Sequence, residues 1–371
     1  MAKLTVVSGT GGKLPAAFLL EMDGKRIFLD LGEGPQPGVK PDVSGIGAVD
    51  AICLSHAHID HVGSLDLSEQ LGNPPIYATA QTFRQIDETV VSSGRRVELP
   101  VRGQCRIAGL SVTVGRNGHA PGGVWFHFAG HGGFLYMGDW SAESLLLPFD
   151  QPPLAACVVT DASYGDLEDA LSHQVNAIAS FAATGAVLCT PAGGRGPEMA
   201  LSLSRLGLKV SVCPVVRREM ELLTKTGRDI IKPDKHAEIE TVLDTMRWGE
   251  NWLPAEVIVA TEANAESGLA AQLLQRRHEG FRFLFSGHVP ARTPAWDMLQ
   301  RNEARWLPWN VHPRLQDTKD LVTRTGAGKV VAAFARPNDM TRLAQWLGAC
   351  LCSERVVTLS AMEDDPLKAA E

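Results

Sequence analysis

Apolar positions along this chain fall in short runs, and their spacing predicts a protein of alternating strands and helices. Residues 3–31 read as two strands and a turn. Leu4-Thr5-Val6-Val7 leads into Gly9-Thr10-Gly11-Gly12, and the runs 16–20 and 26–30 flank Asp23-Gly24, a strong hairpin signal. Ala51-Ile52-Cys53-Leu54 reads as a short buried strand. The pattern then predicts helices over 64–72 and 79–92 with a strand at 74–78, and strands within 97–114. Further strands are expected at Trp125-Phe126-His127-Phe128, Phe134-Leu135-Tyr136-Met137 and Val158-Val159-Thr160. Residues 186–192 and 281–285 read as strands, and Met199–Leu206 as an apolar-periodic helix. A helix containing Leu321-Val322 and a strand over 329–336 follow. The last helix, 343–352, carries Leu343, Trp346, Leu347 and Leu351 on one stripe, read as core packing rather than a dimer surface, although a homodimer stays open. The tail from Met362 is expected to fray.

Composition narrows the class. With 371 residues, 44% apolar and 21% charged, the chain has the profile of a soluble globular protein with ample core. No run approaches the length of a membrane span, and the start lacks the layout of a signal peptide, so no membrane partner is expected. Seven scattered cysteines give no disulfide framework and suit a reducing cytoplasm. Cys350 and Cys352 form a lone pair read as packing. The net charge of −7 offers no global attraction to nucleic acid. Basic residues nevertheless bunch in the middle third (Arg217, Arg218, Lys225, Arg228, Lys232 and Lys235, then Arg276, Arg277, Arg292, Arg301 and Arg305), which suggests an anionic-substrate groove.

The chemistry concentrates after the strand at 51–54. Ser55-His56-Ala57-His58-Ile59-Asp60-His61 places three histidines and an aspartate within six residues, on the loop leaving that strand. Imidazoles with a carboxylate suit zinc or another borderline divalent ion, and four ligands so close along the chain suit two ions side by side rather than one.

This H-x-H-x-D-H run after an apolar strand resembles the signature of the metallo-β-lactamase superfamily of binuclear metal hydrolases. The resemblance implies a four-layer αββα sandwich, an α/β fold with metal-binding loops along one edge of two packed sheets. It also implies two divalent ions, Zn²⁺ in first place and Mn²⁺ as an alternative. His56 and His58 would hold one ion together with His119, which stands between glycines before a strand; His127 and His131 are nearby rivals. Asp60 and His61 would hold the other, with Asp139, at the end of the strand Phe134–Met137, bridging both. Asp30 would buttress the histidine loop, though a simple turn aspartate is the alternative.

Later segments are similar to the β-CASP group of that superfamily, the nucleic-acid-processing branch that includes RNase J and cleavage-and-polyadenylation endonucleases. These segments are Thr160-Asp161-Ala162-Ser163-Tyr164-Gly165, Thr190-Pro191-Ala192 running into Gly194-Arg195-Gly196-Pro197-Glu198, and Ser286-Gly287-His288 with its turn to Thr293. The domain organisation implied is a metallo-β-lactamase part at 1–164, a β-CASP insertion at 165–305 acting as a lid, and a second metallo-β-lactamase part at 306–371. The order histidine, helix, strand suits a phosphate-contacting role for His312. It places Phe334 where the group carries its last metal-binding histidine, and phenylalanine cannot ligate a metal. The alternative alignment gives His288 the phosphate role and makes His312 a ligand. Asp161, Asp30, Asp60 and His312 are expected in catalytic roles, Asp161 by orienting a histidine or hydrogen-bonding the site, and Arg195, Ser286 and His288 in substrate binding.

The leading expectation is a metal-dependent nuclease of single-stranded RNA or DNA. A small-molecule ester, lactone or phosphodiester hydrolase, and a binding subunit with a weakened site, are the alternatives.

Overall fold

The computed structural model describes residues 2–359 except 37, 192, 226, 228 and 250; Ala192, Arg228 and the tail from Met362 therefore lie outside the described residues. In chain order the strands are β1 (Ala2–Ser8), β2 (Ala17–Met22), β3 (Lys25–Leu29), β4 (Ala51–Cys53), β5 (Ile76–Thr79), β6 (Arg96–Leu99), β7 (Gly103–Ile107), β8 (Leu110–Arg116) and β9 (Val124–Phe128). They continue with β10 (Phe134–Tyr136), β11 (Cys157–Asp161), β12 (Ala186–Cys189), β13 (Val210–Val212), β14 (Val257–Ala260), β15 (Phe283–Phe285), β16 (Ala304–Trp306), β17 (Lys329–Ala333) and β18 (Val356–Leu359).

The chain divides into two compact units. The first holds the described residues of Met1–Ala142, Phe149–Glu168 and His312–Glu371. It contains a seven-stranded sheet ordered β18-β1-β2-β3-β4-β5-β6 and a six-stranded sheet ordered β17-β11-β10-β9-β8-β7. Alternation along the strands sends Phe18, Leu20 and Ile27 of one sheet and Phe126, Phe128 and Tyr136 of the other into a shared core. The outer faces are covered separately. Leu19, Phe28 and Ile52 pack with Leu65 and Phe83, while Leu135, Val158 and Val330 pack with Leu315 and Leu321 of helix Leu315–Thr325 and with Leu343 of helix Thr341–Leu347. Layers of helix, sheet, sheet and helix make this the α/β sandwich of the metallo-β-lactamase type.

The second unit, Glu143–Pro148 with Asp169–Val311, carries a five-stranded parallel sheet ordered β13-β14-β12-β15-β16 with its own core. The buried Glu198 carboxylate ties Glu143–Pro148 into it, accepting from the Ser144 hydroxyl at 3.0 Å and from the Leu145 amide. Lys232 Nζ donates to the Ser144 carbonyl at 2.6 Å.

Several expectations are corrected. Residues 3–31 form three antiparallel strands, because the segment 17–22 pairs both with β1 and with 25–29. The expected helices at 64–72 and 79–92 shrink to a 3₁₀ turn Leu65–Glu69 and one α-turn Ala80–Phe83. Their apolar residues are met by the outer sheet face without needing a continuous helix. The last helix stops at Leu347, where Gly348 takes a positive φ, and Trp346 lies 43% exposed off the buried stripe. Among the bunched cations, Arg217 pairs with Glu221, Lys235 with Asp234 and Glu238, Arg276 with Glu279, and Arg301 with Glu303.

Candidate metal centre

The histidine loop is held by backbone before any ion is considered. β4 is fully buried, and the chain leaves it at Leu54 to make Ser55–His58 and one helical turn, Ile59–Val62. A neighbouring strand exit clamps that turn: Leu31 N donates to His61 O at 2.9 Å, Glu33 N to Ile59 O at 2.9 Å and Ala16 N to Asp60 O at 2.9 Å. Gly32 lies so close that a Cβ there would stand 1.7 Å from the Asp60 carbonyl oxygen. Only glycine fits.

The other groups come from strand ends of the facing sheet. β10, β11 and β17 run parallel, and Asp139, Asp161 and Phe334 follow or end them at one edge. His119 lies in the turn after β8, where the Asn117 side-chain oxygen accepts its backbone N–H at 3.0 Å. Gly118 has φ +68 in the same turn, and a Cβ would meet the Ser141 carbonyl at 2.0 Å.

His56, His58, His119 and Asp139 converge. His58 Nδ1 lies 3.0 Å from both His56 Nε2 and His119 Nε2; Asp139 Oδ2 lies 3.5 Å from His119 Nε2 and 4.0 Å from His56 Nε2. A tetrahedron of zinc–nitrogen bonds of about 2.0–2.1 Å has edges of about 3.3 Å, so these donors are spaced for one such ion. Asp60, His61 and Asp139 form a second group sharing the same carboxylate. There His61 Nε2 and Asp139 Oδ1 face each other at 3.2 Å, both buried and both without a hydrogen-bond partner among the described residues. Two buried polar atoms aimed at each other in this way need a positive charge between them, supplied by a proton on His61 or by a cation. The residues present fit divalent ions.

Electrostatics agree. Burial, reinforced by neighbouring imidazoles, drives His56 well below the usual histidine range and brings His58 down to about 4, so both are neutral and ligand-competent at neutral pH. Burial opposes charge on His61 as well, but the charges of Asp139 and Asp30 outweigh it and hold that group high. Asp139 is buried yet stays well below the carboxylate range, because His61 and His312 face it.

Asp30 is fully buried, and its Oδ2 accepts from Tyr136 Oη at 2.6 Å, Ser55 Oγ at 2.7 Å and His61 Nδ1 at 2.7 Å. His312, 7% exposed, turns Nδ1 to Asp161 Oδ2 at 2.7 Å and packs its ring 4.9 Å from those of His119 and Tyr164. Asp139, Asp161 and His312 also form a third group able to hold a cation. Phe334 packs against His61 with centroids 5.4 Å apart. The rivals of His119 are engaged elsewhere: His127 Nε2 bonds the Leu154 carbonyl at 2.9 Å, and His131 pairs with Asp23 at 2.8 Å. Arg195, Ser286 and His288 belong to the second unit, Arg195 at the start of the helix Arg195–Arg205 that follows β12, and Ser286 and His288 just after β15. Sequence reasoning passed over Ser55, Asn117 and Tyr136. The hydroxyl beside His56 and the Asn-Gly ahead of His119 were the available signals.

This geometry can be set beside known proteins. Residues 26–188 match the family model described as Beta-lactamase superfamily domain. Ribonuclease TTHA0252 of Thermus thermophilus is 31% identical over 177 residues, covering 41% of this chain and 41% of that protein. Ribonuclease Z of Clostridium perfringens is 35% identical over 75 residues, covering 18% and 24%. The chain thus spans about two fifths and about a quarter of these relatives' lengths. A crystal structure of a protein of unknown function from Enterococcus faecalis V583 superposes with TM-score 0.58 at 12% identity, covering 91% of this chain and 95% of that one, a likeness of fold. No described helix is long and apolar enough to cross a membrane.

Proposed function

We propose that the protein is a metal-dependent nuclease that hydrolyses phosphodiester bonds of single-stranded RNA or DNA. The observation that carries the reading is the convergence on Asp139 of one group made by His56, His58 and His119 and another made by Asp60 and His61. The ribonuclease names of its relatives support the substrate class. We assign the chain to the β-CASP group, with an insertion over about 165–305, on the likeness of segments 160–165, 190–198 and 286–293.

In this reading His56, His58, His119 and Asp139 would hold one Zn²⁺, and Asp60, His61 and Asp139 would hold a second more weakly, since Phe334 supplies no ligand. Bound there, such ions lower the pKa of water toward neutrality and act as Lewis acids on a phosphoryl oxygen. The chain's own groups set up the rest. Asp161 takes the Nδ1 hydrogen of His312 and so aims its Nε2 end at a phosphoryl oxygen, where it stabilises charge developing in the transition state. Asp30 orients His61. Arg195, Ser286 and His288 are assigned to substrate binding.

The test is metal analysis of the purified protein, followed by incubation with labelled single-stranded RNA and DNA with and without chelator. Cleavage that chelator abolishes and Zn²⁺ or Mn²⁺ restores is expected, with His58→Ala inactive. Turnover of a chromogenic phosphodiester without nucleic-acid cleavage would make it a small-molecule hydrolase. Binding without cleavage would make it a binding subunit.

A further inference from the structure

We propose that Ser55 is a positioning residue that, through Asp30, couples the ring states of His56 and His61, one histidine from each metal group; the proposal rests on the metal reading above. The Asp30 carboxylate is an acceptor only. Ser55 N donates to its Oδ1 at 2.7 Å, while Tyr136 Oη, Ser55 Oγ and His61 Nδ1 all lie within 2.7 Å of Oδ2. Each of the three must therefore donate.

Donation by His61 Nδ1 leaves its Nε2, which faces Asp139 Oδ1 at 3.2 Å, as the atom offered to a cation. Donation by Ser55 uses the one hydrogen of its hydroxyl. The same oxygen lies 3.0 Å from His56 Nδ1, and having given its hydrogen to Asp30 it can only accept there. His56 thus carries its hydrogen on Nδ1 and turns a bare Nε2 toward His58 and Asp139. One buried carboxylate fixes both rings: His61 directly, His56 through a serine hydroxyl. Tyr136 supplies the third donor and keeps Asp30 in place.

Ser55→Ala removes the acceptor at His56 Nδ1 while leaving His61 its bond to Asp30. Zn²⁺ affinity at the His56 group should fall about 10- to 100-fold, the usual cost of losing an outer-sphere partner. Competition with a chromogenic chelator would measure it. Ring ¹⁵N spectra of the metal-free protein provide a readout that mere destabilisation does not move. Wild-type His56 should show the hydrogen on Nδ1, and Ser55→Ala should admit the Nε2 form while His61 stays unchanged. Tyr136→Phe should leave His56 on Nδ1 and weaken Zn²⁺ less than Ser55→Ala does. Finding the His56 hydrogen on Nε2 in the metal-free wild type overturns the proposal, as does undiminished Zn²⁺ affinity in a folded Ser55→Ala. Absence of any Zn²⁺ binding by the wild type would instead overturn the metal reading, and the ring spectra would still judge the relay.

Discussion

His312→Gln separates a substrate-contacting histidine from a metal ligand. The ring bonds Asp161 Oδ2 at 2.7 Å, and Asp161 keeps a second donor, Ser163 N, at 2.8 Å on its other oxygen. Asp161 is fully buried, so deletion of its partner to alanine would strand a charge at a cost of about 3–5 kcal/mol. Glutamine retains an amide N–H for Asp161 and spares most of that cost. What it cannot supply is a second nitrogen beyond the ring, directed at a phosphoryl oxygen. Loss of one such donor costs about 100-fold or more in turnover, about 2.7 kcal/mol or above. Metal content should be unchanged, because His56, His58, His119, Asp139, Asp60 and His61 are all intact. The assay pairs metal per chain, measured by mass spectrometry, with single-turnover cleavage of a labelled oligonucleotide. Loss of one metal equivalent together with activity would refute the reasoning. His312 would then be a ligand, and the group it forms with Asp139 and Asp161 a metal site in its own right.

Gly32→Ala drives a methyl to within 1.7 Å of the Asp60 carbonyl and must displace the turn carrying Asp60 and His61; less than one bound metal per chain and a clear fall in Tm are expected, and a normal metal complement would contradict it. Phe334→His places an imidazole beside His61 at a backbone φ of +65, a conformation histidine tolerates better than phenylalanine; titration with Zn²⁺ should show a tighter second equivalent, and an unchanged isotherm would argue against that site. Burial pushes the Glu219 carboxyl, which accepts from the Gly194 amide at 2.5 Å, up to about 8. Its folded pKa lies above the unfolded one, so its neutral form favours the fold below about pH 4.5 and that advantage is lost as pH rises toward 8. Glu219→Gln should therefore raise the urea midpoint at pH 8.5 more than at pH 5, and equal shifts at both would count against the burial argument.

The histidine loop was legible because its ligands are neighbours in sequence and their spacing carries the chemistry directly. Asp139 was expected through the resemblance alone, which asks for a short acidic side chain at the end of an apolar strand, and it lies buried just after β10. The partners that orient the ligands were not legible. Tyr136 reaches Asp30 only because β10 and β3 face each other across the shared core, a relation no local pattern encodes. Helix lengths at 64–72 and 79–92 failed for the converse reason. There the apolar spacing reported burial against a sheet face, which short turns achieve as well as helices. Asn117 carried a signal, an Asn-Gly turn, but its role is to fix the His119 backbone, and that depends on where the turn folds.

Asp139 explains why the groups at this edge form one centre rather than three. Its two oxygens face His56, His119, His61 and His312, all within 4.0 Å. Burial keeps His56 and His58 neutral, so they bring lone pairs and no compensating charge. The positive charge a buried carboxylate requires must then come from a proton on the His61 side or from cations held between the groups. A proton between His61 Nε2 and Asp139 Oδ1 satisfies only that pair, and His56 Nε2 and His119 Nε2 are then left to share ring hydrogens with His58 Nδ1 at 3.0 Å. A divalent ion among His56, His58, His119 and Asp139, and another between Asp60, His61 and Asp139, would engage these nitrogens and both carboxylate oxygens at once, which is the physical ground for expecting metal ions at this edge.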